Sequence, residues 1–519
     1  MIKKRKGTVN MLSTAMIFGD KMVLQREKPI AVWGSADPGA EVKVSLDGAE
    51  AVAAADESGS WKVSLPAHAA ARGLTLTAES GGEKLAYTDV SVGEVWIAGG
   101  QSNMEFYLGF EKNYEEVLAS FESEDVRFFD YPDVAYEGEL NDRNYIHEGF
   151  WRSSTREDLG YFSAVGFYFA RDLQRALGVP VGIVGCNWSG TTASAWMDPA
   201  FLRGTPGEIW LRDYEKFEAE IDKDEFMRRY LQNPMNDTTD RLALPFNIKS
   251  LKIGLTQEEQ AAAMQEIGTG DADVSGFVFA GRPGGLYSTM VRKIAPYTSR
   301  GVIWYQGESD GDAHPEVYDE VFSRMIANWR ELWADALPFL FVQLAPFRKW
   351  MMSSGDNYGI VRKCQEEVSK TVAGTWMTTT GDAGMEYDIH PKNKKPVGER
   401  LALLALGHVY GQDILCDPPE LESACIEEKS LILTFRNAEG LHLKGECVNA
   451  LQLVTEEGNV LDASEGEIIH GKLVVDLRNT GCPDVRKIRE IRFAQELYYE
   501  VNLYNGAGIP AKPFVRRIV

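Results

Sequence analysis

The chain has 519 residues, which is too long for a single hydrophobic core and predicts roughly three or four domains. A hydrophobic content of 44% and a charged content of 25% are typical of a soluble globular protein. The net charge of −23 excludes the basic surface that nucleic acid requires and disfavours anionic membranes. We therefore expect neither nucleic acid nor a membrane among the partners.

The amino terminus and the cysteines both bear on the cellular compartment. Four basic residues lie within the first seven, as in a secretory signal, but no apolar run of about 7–15 residues follows between Thr8 and Asp20. No stretch reaches the roughly 18 apolar residues of a membrane span. Cysteines at positions 186, 364, 416, 425, 447 and 482 include no Cys-x-x-Cys pair, which indicates neither a zinc site nor a disulfide framework. We expect a reduced, cytoplasmic protein.

Short stretches of alternating polar and apolar residues, separated by turn signals, fill residues 12–92. They are Ile30–Trp33, Glu41–Ser45, Trp61–Leu65 and Leu74–Ala78. Alternation with a period of two between turns predicts antiparallel strands. We place a small amino-terminal β domain at residues 1–92.

Continuous apolar strands alternate with helices from Val92 onwards. Strands are predicted at residues 93–98, 181–186, 301–305, 338–344 and 374–380. Helices are predicted at Ser163–Leu177, Val317–Trp333, Val361–Lys370 and Val397–Tyr410. Such a series implies an α/β fold with a parallel sheet that is covered on both faces. We assign residues 93–205 and 281–415 to this α/β domain.

Residues 206–280 interrupt the α/β series with charged helical segments. One covers Ile209–Leu231, and another begins at Thr256, which is spaced from Glu259 as in a capping box. We predict a helical insertion. Alternation returns after Asp417 and predicts a β-sandwich over residues 416–519. Its predicted strands are Ser430–Phe435, Ala450–Val454, Lys472–Asp476 and Glu490–Phe493.

The turn after the first strand of the α/β series is a candidate for a catalytic group. Val95–Ala98 leads into Gly99 and Gly100, which permit a turn too tight for side chains. Ser102 follows where a helix is predicted to begin, and a helix N-terminus favours developing negative charge. The alternative is an ordinary N-cap serine. The choice between them depends on partners elsewhere in the chain.

Polar residues follow four predicted strands, and the carboxyl ends of parallel strands gather at one edge of a sheet. Together they supply a hydroxyl, amides, carboxylates and an imidazole, which are the groups of an acyl-transfer site. His390 lies beside an acidic residue just before a helix, and imidazole is a suitable base at neutral pH. We predict that His390 is the base for Ser102 and that Asp388 orients its ring.

Four segments resemble the blocks of the sialate O-acetylesterase family, which belongs to the SGNH-hydrolase superfamily and is related to acetylxylan esterases. They are Gly100–Met104, Trp188–Trp196, Trp304–Ser309 and Asp388–Pro391. Met22–Arg26, Phe162–Phe167 and Asn502–Pro510 also match, so the likeness covers nearly the whole chain outside the insertion. The resemblance implies a three-layer α/β/α fold flanked by β domains. It also implies an esterase without cofactor or metal that acts on carbohydrate O-acetyl groups.

The resemblance assigns roles to the catalytic residues. Ser102 is similar to the family's nucleophile, His390 to its base and Asp388 to the carboxylate that orients the base. The Asp-x-His spacing is shorter than the superfamily's commoner Asp-x-x-His. Asp382 therefore stays open as an alternative to Asp388.

An oxyanion hole is implied in the same way. The resemblance points to the backbone amides of Ser102 and Gly190 and to the side chain of Gln306, which stands where many members of the superfamily carry Asn. Other residues near the strand ends are candidates for supporting the nucleophile turn or for binding substrate, against the alternative of a structural role. These are Gln101, Asn103, Glu308, Trp188, Trp196 and Tyr287.

The helical insertion and the missing apolar signal segment depart from the pattern of bacterial relatives. Both favour a small, imported sugar ester over an extracellular polymer. The sequence leaves open which sugar and which hydroxyl carry the acetyl group, and the oligomeric state. Alternatives are an acetylxylan or oligosaccharide acetylesterase of the same mechanism, a lipase or thioesterase, and a non-catalytic glycan-binding protein on the same fold.

Overall fold

The computed structural model describes residues 11–232, 240–267, 280–482 and 484–518. The basic segment at the amino terminus lies outside the described residues. Helices and strands are mixed along the chain, which confirms the predicted α/β class. In these described ranges, none of the helices combines the length and the apolar character of a membrane span.

Eight strands form the amino-terminal region, and all four predicted stretches lie within them. β3 pairs with β1 and β6, whereas β4, β5 and β7 continue through β8 into the central sheet. The strands are β1 Ser13–Thr14, β2 Val23–Gln25, β3 Ile30–Ser35, β4 Glu41–Leu46, β5 Ala49–Ala54, β6 Ser60–Leu65, β7 Ala71–Ser80 and β8 Glu83–Gly100.

The long strand β8 belongs to two regions at once. Its first part pairs antiparallel with β7, and its last residues pair parallel with their neighbours in the central sheet. The predicted boundary at residue 92 therefore lies inside a continuous strand. The buried apolar side chains of the amino-terminal strands and of the central sheet belong to one core.

The central sheet contains all five predicted strands of the α/β series. Its order is β10-β9-β11-β8-β12-β13-β16, and only the edge strand β10 runs antiparallel to its neighbour. The strands are β9 Ser123–Asp130, β10 Trp151–Ser154, β11 Val181–Asn187, β12 Gly301–Tyr305, β13 Phe339–Val342, β14 Lys349–Trp350, β15 Ser353–Ser354 and β16 Thr375–Thr378, of which β14 and β15 form a separate hairpin.

The long helices of the central region pack in pairs, α4 against α13 and α11 against α12. The α-helices are α1 Ser102–Glu105, α2 Tyr114–Ser120, α3 Glu139–Asp142, α4 Ala164–Leu177, α5 Glu208–Glu220, α6 Lys223–Gln232, α7 Pro245–Asn247, α8 Gln257–Ile267, α9 Arg292–Ile294, α10 Glu308–Asp312, α11 Tyr318–Trp333, α12 Tyr358–Thr371 and α13 Lys395–Leu404. π-Helical segments are Ile248–Ile253, Tyr287–Val291 and Ala405–Val409. Short 3₁₀ turns are Leu108–Phe110, Leu159–Tyr161, Ala193–Trp196, Pro199–Phe201, Pro315–Val317, Gly355–Asn357, Leu477–Asn479 and Val485–Lys487.

The described part of the insertion is helical, as predicted. The capping box forms, since the Thr256 N–H donates to Glu259 at 3.0 Å and the Glu259 N–H donates to the Thr256 hydroxyl at 3.2 Å. The predicted helix Ile209–Leu231 is divided into α5 and α6. The first ends at Glu220, and Asp222 caps the second, because its carboxylate accepts the N–H groups of Asp224 and Glu225.

The carboxy-terminal region has two four-stranded antiparallel sheets, β17-β18-β23-β22 and β21-β20-β24-β26, and a short pair, β19-β25. Their buried side chains form a core separate from that of the central sheet. The strands are β17 Glu420–Glu427, β18 Ser430–Arg436, β19 His442–Leu443, β20 Leu451–Thr455, β21 Val460–Asp462, β22 Gly466–Ile469, β23 Lys472–Asp476, β24 Ile488–Phe493, β25 Leu503–Tyr504 and β26 Phe514–Arg517.

Candidate active site

The carboxyl end of β8 admits glycine alone at its last two positions, where the chain enters the Ser102 turn. A Cβ on Gly99 would lie 2.8 Å from the Trp304 ring, and one on Gly100 would lie 2.2 Å from the Tyr305 carbonyl oxygen. Gly100 also has a φ of +136°, which side chains rarely adopt. Ser102 follows as the first residue of α1 and is 8% exposed. The turn thus holds Ser102 at the carboxyl end of β8, as predicted.

Asn103 joins the Ser102 turn to the predicted histidine loop. Its side-chain amide donates to the Ile389 carbonyl at 3.0 Å and to Glu308 at 2.5 Å. The buried Lys394 ammonium donates to the Asn103 side-chain oxygen. Asn103 is 1% exposed, so these bonds form away from water. The structure therefore brings the Ser102 turn and the loop of residues 388–390 together.

Asp388 lies against His390 inside that loop. Its Oδ1 accepts the His390 backbone N–H at 2.8 Å and lies 3.7 Å from His390 Nδ1, while Oδ2 lies 2.8 Å from Lys392 Nζ. Within the described part of the chain, His390 Nδ1 has no hydrogen-bond partner. A separation of 3.7 Å exceeds a hydrogen bond, but catalytic hydrogen bonds often shorten only when substrate binds. The arrangement suits a carboxylate that orients the imidazole.

Asp382, the alternative carboxylate, is hydrogen-bonded to residues other than His390. Its two oxygens accept from the Arg400 guanidinium at 2.8 and 2.6 Å, and one also accepts the Tyr504 hydroxyl at 3.0 Å. Such a bidentate pair fixes the carboxylate in place. These contacts favour Asp388 over Asp382 as the partner of His390.

Burial and two nearby lysines determine the electrostatics of His390. Burial, followed by the charges of Lys392 and Lys394, lowers the pKa of His390 well below its usual value. Burial also lowers the pKa of Lys394 to about 7. A low pKa keeps the imidazole neutral, and the neutral form is the one that accepts a proton.

The pH dependence of kcat/KM should show the effect of these lysines on the pKa of His390. A base with a lowered pKa stays neutral as pH falls through 6.5, so kcat/KM should decline only in more acidic solution. Lys392→Gln removes a positive charge and releases Asp388, both of which raise the pKa of His390. We expect the acidic limb of the kcat/KM profile to move to higher pH, while Lys395→Gln leaves it in place. A limb that stays or moves to lower pH in Lys392→Gln would contradict this account.

Gly190, a predicted oxyanion donor, lies in a constrained loop. Its φ is +69°, in the left-handed region. The preceding residue, Ser189, donates its N–H and its hydroxyl to one oxygen of Glu105, at 2.6 and 2.7 Å. Glu105 is the last residue of α1. The Gly190 loop is thereby tied to the helix that carries Ser102.

Gln306 is placed differently from the prediction. Its side chain is fully buried, and its amide donates to the Thr191 carbonyl at 3.1 Å and to Asp310. An amide nitrogen has two hydrogens, so both are engaged. These contacts do not support a direct oxyanion donor. Gln306 instead positions the loop that carries Gly190.

Two buried carboxylates and an amide support these loops. Asp310 accepts the Ala193 N–H at 3.0 Å, and burial raises its pKa to about 7. Burial also raises the pKa of Glu308, the partner of Asn103. The Gln101 side-chain oxygen accepts the N–H groups of Gly307 and Ser309, at 3.3 and 3.2 Å. Gln101 and Glu308 therefore join the nucleophile turn to the end of β12.

The aromatic residues considered for sugar stacking are buried. Trp188, Trp196 and Tyr287 are 3%, 0% and 8% exposed. The Trp196 indole donates to the Thr191 hydroxyl at 3.0 Å, and the Trp188 backbone N–H donates to the Gly100 carbonyl at 3.1 Å. These three aromatic side chains pack behind the loops of the candidate site. Their burial favours a structural role over stacking on a sugar ring.

Sequence reasoning missed a contact from the insertion to the nucleophile helix. The Arg241 guanidinium binds Glu105 and Asp133, and burial raises the pKa of Asp133. The predicted insertion thus contributes a charge close to α1. The pattern of residues 206–280 contains no signal for it, because both partners are distant in the sequence.

A cavity of about 550 Å³ adjoins the histidine loop. This volume is within the range of small-molecule sites. Its walls combine aromatic, aliphatic and charged side chains, as an amphipathic ligand such as a sugar requires. They include Phe110, Tyr114, Lys252, Met385 and Lys392.

Comparisons with known proteins find carbohydrate esterases among the similar proteins. Residues 256–406 match the family model described as carbohydrate esterase, sialic acid-specific acetylesterase. The chain is 27% identical over 432 residues to the sialate O-acetylesterase of Mus musculus, covering 75% of this chain and 72% of that protein. For the sialate O-acetylesterase of Homo sapiens the identity is 26% over 434 residues, covering 77% and 71%.

A solved structure extends the likeness to nearly the whole chain. The crystal structure of a carbohydrate acetylesterase from Xanthomonas citri is 27% identical, with a TM-score of 0.72 over 97% of this chain and 99% of that one. The fold, the family-model match and these relatives agree with the four sequence blocks. The chain is therefore similar over most of its length to carbohydrate esterases that include the sialate O-acetylesterases, and it is a carboxylic ester hydrolase.

Proposed function

We propose that the chain removes O-acetyl groups from carbohydrates through a covalent acetyl–Ser102 intermediate. The observation that carries the proposal is the Asn103 side chain, which joins the Ser102 turn to the loop of Asp388 and His390. A glycan-binding protein would need no such junction between a serine turn and a histidine loop. The SGNH-type α/β/α arrangement with β domains on either side is part of the proposal, supported by the sheet order and by the Xanthomonas citri relative.

In the first half-reaction, Ser102 Oγ attacks the acetyl carbonyl carbon as His390 accepts the hydroxyl proton. The backbone amides of Ser102 and Gly190 stabilise the oxyanion of the tetrahedral intermediate. Asp388 holds the ring and stabilises the imidazolium. The carbon–oxygen bond to the sugar then breaks, and the sugar oxygen takes the proton from His390.

In the second half-reaction, a water molecule replaces the sugar. His390 accepts a proton from the water as its oxygen attacks the acetyl–Ser102 carbonyl. The bond to Ser102 Oγ breaks, and Oγ regains its proton from His390. Acetic acid leaves, and the free enzyme is restored.

The dependence of kcat/KM on the length of the acyl group distinguishes an acetylesterase from a lipase or a thioesterase. Ser102 is 8% exposed and its neighbours Gln101 and Asn103 are buried, so we expect the site to accept a short acyl chain better than a long one. Each methylene that a pocket cannot accommodate costs about 1–3 kcal/mol of discrimination. We expect kcat/KM to fall steeply from p-nitrophenyl acetate to the butyrate, with almost no activity on the octanoate. Comparable kcat/KM for acetate and octanoate would contradict an acetylesterase.

The natural substrate can be identified with acetylated sugars. Mass spectrometry after incubation with acetylated sialic acids, acetylated xylo-oligosaccharides and other acetylated oligosaccharides reports which substrate loses acetate and from which hydroxyl. Turnover of sialic acid esters alone would assign a sialate O-acetylesterase, and turnover of xylan fragments would assign an acetylxylan esterase. No hydrolysis of any ester, p-nitrophenyl acetate included, would favour the glycan-binding alternative.

A further inference from the structure

Three side chains with metal-binding atoms converge beyond the carboxyl end of α13. His408 lies in the π-helical segment Ala405–Val409, and Cys416 and Asp417 lie in the connection to β17. His408 Nε2 is 3.0 Å from both Asp417 carboxylate oxygens and 3.5 Å from Cys416 Sγ. Cys416 Sγ is 3.8 Å from Asp417 Oδ2. One nitrogen, one sulfur and one oxygen thus surround a single point.

These separations match the edges of a tetrahedral zinc site. Zinc binds thiolate sulfur at about 2.3 Å and histidine nitrogen or carboxylate oxygen at about 2.0–2.2 Å. At tetrahedral angles, such bonds separate nitrogen from sulfur by about 3.6 Å, nitrogen from oxygen by about 3.3 Å and sulfur from oxygen by about 3.5 Å. The three distances in this cluster agree with those values to about 0.3 Å.

Hydrogen bonds can also hold the three side chains together without a metal. The His408 Nε2–H can donate to the Asp417 carboxylate at 3.0 Å, and the Cys416 thiol donates to Asp417 Oδ2 at 3.8 Å. A catalytic Cys-His-Asp relay would instead place its two partners on opposite ring nitrogens. A cation bound by the same three atoms would replace these hydrogen bonds, since the separations already match those of a zinc site to about 0.3 Å.

The surroundings hold the three ligands in place. A Cβ on Gly407 would lie 2.4 Å from Cys416 Sγ, so the glycine is what lets the thiol approach the helical segment. The Trp376 ring stacks on His408 with centroids 4.8 Å apart and planes 14° apart. The Asn505 side-chain amide donates to the Asp417 carbonyl at 3.0 Å. Outer contacts of this kind orient metal ligands.

We propose that His408, Cys416 and Asp417 bind one zinc ion, with water as the fourth ligand. The His408 and Asp417 side chains are 24% and 33% exposed, which leaves one side of the site open to solvent. Binding forms a zinc–sulfur bond, and the thiol proton passes to solvent. The His-x₇-Cys-Asp spacing contains no Cys-x-x-Cys signature, which is why the sequence pattern does not indicate this site.

The site has a structural role. α13 and the π-helical segment comprise 10 and 5 residues, and they separate the loop of His390 from His408 by about 20 Å of helix at 1.5 Å per residue. The zinc ion therefore takes no part in ester hydrolysis. It binds the end of this helix to the segment that leads into the carboxy-terminal sheets.

Cobalt titration of the full chain tests the site. The protein is dialysed against a chelator with a phosphine reductant and then titrated with Co²⁺, whose bond to thiolate gives a charge-transfer band in the near ultraviolet. We expect one equivalent of Co²⁺ to saturate the band and one equivalent of Zn²⁺ to abolish it. The matched control is Cys425→Ser, which removes an exposed thiol and should leave the band unchanged.

The ligand variants decide the assignment. Cys416→Ser should abolish the band. His408→Gln and Asp417→Asn each remove a ligand, so each should weaken Co²⁺ binding by at least the roughly 10–100-fold that loss of an outer contact costs. The last two positions are partly exposed, so they test the site even if Cys416→Ser does not fold. The proposal is overturned if the wild type gives no band, if Cys416→Ser keeps it, or if both other variants bind within twofold of wild type.

Discussion

Ser102→Ala should lower kcat for p-nitrophenyl acetate by about 10⁴–10⁶, because no acyl-enzyme can form without the hydroxyl. The change removes one oxygen at a turn whose shape depends on Gly99 and Gly100, so the melting temperature should move little. Steady-state kinetics and thermal melting measure the two effects separately.

A matched control for this variant is Ser369→Ala. Its hydroxyl donates to the Glu366 carbonyl within α12, far along the chain from the turn. This control should retain the wild-type rate. A Ser102→Ala enzyme that keeps more than a tenth of wild-type kcat, with its fold intact, would refute the nucleophile assignment.

Asp388→Asn should lower kcat by about 10⁴, because an amide favours the wrong tautomer of the imidazole that it faces. Asp388 Oδ1 lies 3.7 Å from His390 Nδ1, so the carboxylate is placed to accept a hydrogen bond when substrate tightens the site. The substitution keeps size and shape, and the loss should appear in kcat with little change in melting temperature.

Asp382→Asn is the matched comparison. For this variant we expect a clear loss of stability and only a small change in kcat. Asp382 accepts two bonds from Arg400 and one from Tyr504, so the amide should lower the melting temperature and leave kcat within about tenfold of wild type. The reverse ranking of the two kcat values would show that Asp382 orients the base.

Much of the fold was predictable because its strands and helices carry their own periodicity. The five apolar strands of the central sheet and the capping box at Thr256 were found from local pattern alone. β9 was missed because Arg127 interrupts its apolar run. Arg127 is 3% exposed in the structure, where it donates to the Asp89 carbonyl and carboxylate and to the Glu124 carbonyl. Its burial depends on partners that a local pattern does not reveal.

At the candidate site, too, residues in local motifs could be predicted, whereas roles that depend on long-range contacts could not. Ser102, Asp388 and His390 lie in short motifs whose residue types suggest acyl transfer, so they could be predicted. Gln306 was assigned a direct role that its contacts do not support, since both of its donors are engaged by distant groups. Lys394 is buried against Asn103 by long-range packing, and its effect on His390 could not be anticipated from its position alone.

The continuity of β8 also affects how the chain folds during synthesis. The strand that ends in the Ser102 turn is made early, yet its two parallel neighbours are β11 and β12, at residues 181–187 and 301–305. At about 5–20 residues per second, the second neighbour emerges about 10–40 s after β8. Until then an apolar strand has an unpaired edge, which is a template for association with other chains. Newly made protein should therefore be most prone to aggregation before residue 305 is reached, and holdase chaperones should protect it during that interval.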